Sequence, residues 1–434
     1  MSHSHGFHLE EEHDNLPKNK LKNISRHLVQ LLISLLLVAI TPVALNFLSQ
    51  DRLEEAKSQN LDYIPSESQY FRAEVTEIIE ENIEEGLTGT PTTTQKVEAI
   101  IVEGSEKNQV VEVSKQNLNS NENQKLSEGD KIVVSKQEVE GEGQDFFFIS
   151  AYRLDGVYLV VGFFILLVVL LAGLRGISAF LGMVFSIIVL AQFLIPEIIT
   201  GQNVLLITFI TSLVILLVSL YLSHGFNKRT TVAIASSMIS ITIATLAAIL
   251  VVDFTRLTGM SSEEVMQLQA TKLTSNLNMQ GLLLSGIIIG CLGVLDDVTT
   301  AQAAAIEQIS RANPKLDFKE LFFRGIKIGH EHSISMVNTL AMAYAGSSLP
   351  LLLLFTIYNS APLWVTINNE IISEEIIRAL IGSICLLLSV PIVTILSARF
   401  LRHREDKPNS DDHSDDITIP KDLLQKKNKI VDVM

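Results

Sequence analysis

Cysteine and charge are both scarce in this chain of 434 residues, and each shortage removes a class of protein. Cys291 and Cys385 are the only cysteines and both fall in apolar runs, so no disulfide framework supports the fold. Charged residues make up 19% of the chain against 47% hydrophobic ones, with a mean hydropathy of +0.34, which is too apolar for an ordinary soluble protein of this length. No nucleotide-binding loop, HExxH zinc motif, serine elbow or nucleic-acid module occurs. Coupling to ATP within the chain, a nucleic-acid partner, a resident cofactor and an enzymatic role are therefore not expected.

Long uncharged runs are abundant, and a run of about 20 apolar residues is what a hydrocarbon core of roughly 30 Å requires at about 1.5 Å per residue. Seven clear runs lie near residues 28–48, 156–174, 177–195, 204–223, 231–252, 333–357 and 372–397, and a shorter one covers 281–295. The expected fold is an α-helical integral membrane protein with about eight transmembrane helices and a small extracytoplasmic β domain between the first two spans. The chain divides into a cytoplasmic His-rich tail (1–27), a first transmembrane helix (28–48), an extracytoplasmic acidic β domain (49–152), a seven-helix transmembrane domain (153–400) and a cytoplasmic, disordered tail (401–434). The first span, with Lys18, Lys20, Lys22 and Arg26 before it, reads as a retained signal anchor.

Loop cations fix the orientation. Arg175, Lys228, Arg229, the 311–327 stretch and Arg399, Arg402 and Arg404 fall on the inner side when eight spans alternate, leaving Arg256 and Lys272 outside. Seven spans would separate the 311–327 cations from the C-terminal tail. Both termini are thus expected in the cytoplasm.

The outer block carries 9 Lys+Arg and 22 Asp+Glu between positions 51 and 150, which accounts for nearly all of the net charge of −15. Five strand-like stretches, "YFRAEVTEII", "KVEAIIVEG", "NQVVEVS", "DKIVVSKQEV" and "DFFFISAYRL", predict a small antiparallel barrel or sandwich, with Gly129 supplying a positive φ in the turn before the fourth. Its acidity reads as a solvated surface, or else as a vestibule that concentrates cations. His3, His5, His8 and His13 could ligate zinc or nickel, but no spacing or scaffold fixes them.

The 281–295 run spans only about 22 Å as a helix and ends in Asp296 and Asp297. Two arrangements follow. Either an aspartate caps a new cytoplasmic helix, "TTAQAAAIEQIS", or the helix continues and holds both carboxylates at membrane depth. Gly286 and Gly290 form a GxxxG pair expected to let a neighbouring backbone approach. In the next span Glu331, Ser335 and Asn338 share a helical face, and Gly346 to Pro350 predicts a break of the kind that lines transporter sites, although such kinks are also plain architecture. Ser236, Ser240, Ala244 and Ala248 read as a close-packing stripe, Arg175 as the anchor of a helical hairpin, and Ser261 to Glu264 as a capping box.

The combination of "GVLDDVTTAQAAAIEQIS", "GHEHSISMVNTLAMAYAGSSLPLLLLF" and "LIGSICLLLSVPIVTILSA" resembles the YibE/F family of bacterial multispanning membrane proteins over roughly residues 150–400. The resemblance implies an eight-span bacterial inner-membrane protein. It brings no catalytic residues, and it suggests a shorter related membrane protein as a partner, beside the lipid bilayer itself and a second copy of the chain. The leading functional expectation is a transporter or channel-like permease for a small solute or cation, its pathway drawn from Asp296, Asp297, Asn338, Glu331, Gly346 and Pro350. The alternative is a non-transporting envelope assembly or regulatory factor acting through the outer domain.

Overall fold

The computed structural model describes residues 29–45, 69–85, 91–115, 125–139, 143–270, 277–358 and 362–403. The His-rich segment, the 404–434 tail and Lys272 lie outside the described residues.

All five predicted strands form: β1 (Gln69–Glu85), β2 (Pro91–Ile101), β3 (Val110–Lys115), β4 (Lys131–Val139) and β5 (Gly143–Ala151). They close into a barrel in the order β1-β2-β3-β5-β4, a five-stranded Greek-key arrangement of the OB type. One expectation is corrected, because the sheet is not wholly antiparallel: β5 runs parallel to β3 through Val113 and Phe146. Bulges at Val75/Glu77 and Ile78/Glu80 bend β1, whose first part pairs with β4 and whose length pairs with β2. Alternate residues Ala73 and Val75, Val97 and Ala99, Ile132 and Val134 fill the interior while the charges face outward. Gly129 takes φ +86° in the turn before β4, as predicted.

The barrel joins the helices through a short clamp. Lys131 Nζ meets Asp155 at 2.6 Å, and Arg72 donates to the Tyr152 hydroxyl at 3.1 Å. The bond to Asp155 holds the Lys131 ammonium above its ordinary pKa.

The apolar runs become α1 (Val29–Leu45), α2 (Leu154–Leu174), α3 (Gly176–Ile199), α4 (Val204–His224), α5 (Lys228–Phe254), α7 (Met279–Ala312), α8 (Phe318–Ser347), α9 (Leu349–Tyr358) and α11 (Glu370–Phe400). Two short helices, α6 (Glu263–Ala270) and α10 (Leu363–Ile367), lie in connections. Among the described residues six helices are long and apolar enough to cross a membrane, or seven if α8 and α9, bent by 60° at their junction, count as one span, against the eight expected. α1 is a shorter apolar helix. Ser348 caps α8, and Pro350 falls in the first turn of α9, where its missing N–H costs nothing.

α2 and α3 form the expected hairpin: Gly173 turns at φ +59° and the Phe164 and Phe180 rings come within 6.3 Å. A Cβ on Gly176 would lie 2.8 Å from the Val168 carbonyl oxygen, so the turn requires glycine there.

α7 removes one of the two arrangements open for Asp296 and Asp297, the cap of a new helix. The helix runs unbroken for 34 residues, and its N-cap is Asn278, whose Oδ1 accepts from Gly281 N at 3.0 Å. The aspartates therefore cap nothing. Ala and Gln after them are strong helix formers, and Val298, Thr299, Gln302, Ala303 and Ile306 are buried along one face.

α5, α7 and α11 pack on one another as the centre of the bundle, with α4 against α7 and α8 against α11. Lipid offers helices little hydrophobic reason to associate, so close contacts and buried polar pairs carry specificity. Thr208 donates to Ser285 at 2.8 Å, Ser237 and Thr299 share a bond of 2.8 Å, and Gln302 ties the Gly325 carbonyl (2.8 Å) to Thr394 (2.9 Å). Ser236, Ser240, Ala244 and Ala248 are buried as the predicted packing stripe.

The GxxxG expectation is displaced. No neighbour lies within 4 Å of a Cβ built on Gly286, and Gly290 meets only the Tyr344 hydroxyl, at 2.9 Å. The close approach uses Gly325 and Gly329 on α8 instead, where a Cβ on Gly329 would sit 2.4 Å from Val390 Cγ1 and 2.8 Å from Gln302 Nε2. The capping box also moves. Ser262, not Ser261, accepts from the first turn of α6, through Val265 N at 3.3 Å, while Asp317 and Glu320 form a full box at α8.

Gly329→Ala is expected to destabilise the purified protein by about 1–3 kcal/mol through overpacking. Gly286→Ala should be neutral or stabilising by up to about 1 kcal/mol. Thermal unfolding in detergent checks the ranking, and a larger loss at Gly286 would refute this packing scheme.

Candidate functional site

Three helices, α3, α4 and α7, wall a cavity of about 490 Å³. Its polar end is formed by Asp296 and Asp297 of α7 with Ser219, Ser223 and His224 of α4. Its other end is apolar, made by Leu190, Ile215 and Ile289, and beyond it Phe185, Val189, Leu284 and Ile288 are buried in the bundle core.

Each wall has a local cause. α4 ends at His224 because Gly225 turns out at φ +78° and Asn227 caps α5 by accepting from Thr230 N at 2.9 Å. That stop places the imidazole at the cavity mouth. On α3, a Cβ on Gly182 would come within 2.8 Å of Ser223 Oγ and 3.2 Å of Ser219 Oγ, so a glycine brings α3 against the hydroxyl face of α4. On α7, Gly293 faces open space, with no atom within 4 Å of its built Cβ. Gly293 leaves its part of the α7 wall open.

Asp296 is half-buried and Asp297 exposed. Among the described residues no lysine, arginine or histidine forms an ion pair with either carboxylate. Along α7, Asp296 lies about 26 Å from the Met279 end at about 1.5 Å per residue, close to the middle of the helix. Two acidic side chains, an imidazole and two hydroxyls thus surround a space large enough for a hydrated cation.

The remaining residues singled out in the sequence lie elsewhere. Glu331 and Asn338 are exposed on α8, while Gly346 and Pro350 are exposed at the bend between α8 and α9; none lines this cavity. His330 and His332 are exposed as well, and among the described residues no group of three or more His, Cys, Asp or Glu could hold a metal ion.

Sequence reasoning missed His224, Ser219, Ser223, Gly182 and Gly293. The four-residue spacing of Ser219 and Ser223 was a signal, but it reads equally as packing. Two further carboxylates were missed at the opposite end of the bundle: Glu197 on α3 is 5% exposed and Glu374 on α11 is 7% exposed. Both stand at the ends of apolar runs, where a charge reads as interfacial.

The YibE/F-like protein family model matches residues 160–403. The chain belongs to this family. The match covers the helices from within α2 to the end of α11, so every residue of the cavity falls inside the YibE/F-like region while α1 and the barrel fall outside it. No curated protein and no solved structure matches the chain.

Water access to the cavity is testable by thiol labelling in membranes, after Cys291 and Cys385 are replaced by serine. Gly293→Cys and Ser223→Cys are expected to react with a polar, charged maleimide and Ile288→Cys to resist it. Equal protection at all three positions would mean the cavity is closed to solvent.

Proposed function

We propose that this YibE/F-like membrane protein is a transporter or channel-like permease for a small cation, which enters between α3, α4 and α7 and is held by Asp296 and Asp297. One observation carries the reading: α7 passes through both aspartates without a break, both line the cavity, and among the described residues neither forms an ion pair. An ionised carboxylate in hydrocarbon costs about 2.5–3.5 kcal/mol even on insertion scales, and a bound cation or water offsets that cost.

The arrangement of the chain supports eight spans, counting α1 and the bent α8–α9 pair. Gln30 near the start of α1 donates to the Leu222 carbonyl at 2.8 Å, so α1 begins at the end of the bundle that carries Lys228, Arg229 and Arg311. With that end in the cytoplasm of a bacterial cell, both termini are inside and the barrel is outside. The cavity is then an inward-facing vestibule, closed toward the exterior by Leu190, Ile215 and Ile289. A π-helical turn, Leu190–Leu194, begins at this closure and runs toward Glu197, and such turns are frequent at functional sites. Movement of α3 about that turn would connect Asp296 to Glu197 and expose the site to the other side. Asn338, Glu331 and the Gly346 to Pro350 bend lie outside this cavity and carry no step of the reading.

Flux into proteoliposomes, measured over a panel of monovalent and divalent cations and protons, tests the proposal. Asp296→Asn with Asp297→Asn is expected to lower transport of the preferred ion by about tenfold or more. Unchanged flux in a folded double variant would remove these residues from any pathway.

A second reading draws on α2, whose most apolar window is entirely unburied although α2 is the most hydrophobic span. Joined to the barrel through Lys131 and Asp155, it suits contact with a shorter related membrane protein or a second copy, as an assembly factor would make. Crosslinking from α2 and the barrel in native membranes discriminates. A stoichiometric partner together with no flux from purified protein would favour this reading over transport.

A further inference from the structure

At the end of the bundle where α5 begins and α7 and α11 finish, a second cavity of about 540 Å³ gathers Lys228, Arg229, Arg311 and Arg402 around the single carboxylate of Glu307. Glu307 is shared: Arg311 meets it at 2.6 Å and Arg229 at 3.6 Å. Among the described residues Lys228 and Arg402 have no carboxylate partner, and Arg402 Nε is buried without an acceptor. The cup thus holds more cationic donors than the described residues satisfy.

Continuous with it is a groove of about 600 Å³ that is predominantly apolar. The two share Asn227, Lys228 and Phe400. The groove runs between α5 and α11 past Phe226, Val232, Ala235 and Leu396, with Ala235 about 10 Å along α5 from Lys228. Tyr221 and Phe226 stack at 4.5 Å to form one wall. A cationic cup at the end of the helices, opening into an apolar slot that descends beside them, has the shape and polarity of a phospholipid: phosphate above, acyl chain below.

We infer that this paired cup and groove binds one anionic phospholipid, its phosphate held by Lys228, Arg229, Arg311 and Arg402 and one acyl chain lying along Val232, Ala235 and Leu396. The chemistry it recognises is a phosphoryl anion, which a free phosphate shares, but the groove selects the lipid. The bound lipid would bridge α5, α7 and α11 at the ends where those central helices meet.

Native mass spectrometry of the full chain in detergent, titrated with phosphatidylglycerol, phosphatidylcholine or inorganic phosphate, tests this. One phosphatidylglycerol is expected to bind at roughly tenfold lower concentration than phosphatidylcholine, since two unpaired cations near a membrane surface favour an anion by that order. Lys228→Gln with Arg402→Gln should abolish the preference, and Ala235→Trp should weaken phosphatidylglycerol binding by filling the groove. Lys228→Gln alone, at an exposed position, should reduce the preference and keeps the test decisive if the Arg402 variant fails to fold. Equal binding of both lipids, or a preference untouched by these variants, would overturn the inference. So would displacement of phosphatidylglycerol by equimolar inorganic phosphate with no effect of Ala235→Trp, which would assign the cup to free phosphate. Phosphatidylglycerol bound only by a chain shortened to Arg404 would overturn it as well, giving the cup to the chain's own acidic tail.

Discussion

A polypeptide inside hydrocarbon must satisfy its own backbone hydrogen bonds, and α7 meets that demand by remaining a helix where its side chains stop being apolar. Had the helix ended at Leu295, free carbonyls would have been left short of the far interface. Continuity through Asp296 and Asp297 satisfies the backbone and, in the proposed reading, transfers the cost to two carboxylates. Gly293 leaves room beside them, Gly182 draws α3 onto the hydroxyl face of α4, and the stop at Gly225 brings His224 to the same space. The rest of the bundle supports α7 from behind, through the bond from Ser237 to Thr299 and the reach of Gln302 to α8 and α11.

The two ends of the helical domain are chemically unlike. One carries the cationic cup with the acidic cavity mouth nearby, the other the buried Glu197 and Glu374. Between them the core is apolar, with Phe185, Leu216, Ile241, Ile287 and Leu295 fully packed. In the proposed permease, a small cation drawn to either end would meet carboxylates at both and a packed core in the middle. That pattern suits alternating exposure better than an open pore.

Much of this was legible in the amino-acid sequence, because hydropathy and alternation act locally. The apolar runs became the helices, the five alternating stretches became the barrel strands, and Gly129 turned as a left-handed residue should. The pairing of β3 with β5 was not legible, since parallel contact depends on how the sheet closes and not on either strand's pattern. Glycine spacing misled in a similar way: Gly286 with Gly290 and Gly325 with Gly329 look alike, and only the neighbours Val390 and Gln302 make the second pair the close contact. At the site, charge made Asp296 and Asp297 visible, whereas His224 and the serines of α4 become partners only through the meeting of helices distant in sequence. Glu331 and Asn338 shared a predicted face, yet that face of α8 turns away from the cavity.

The claim that α7 carries ionisable side chains within the bilayer is tested most directly by an electron cryomicroscopy structure in a lipid nanodisc, with the lipid phosphate layer resolved beside α7. The account predicts that the Asp296 carboxylate lies on the hydrocarbon side of that layer, in contact with water or an ion between α3 and α4. A phosphate layer crossing α7 on the Met279 side of Asp296, leaving both aspartates in bulk solvent, would contradict it.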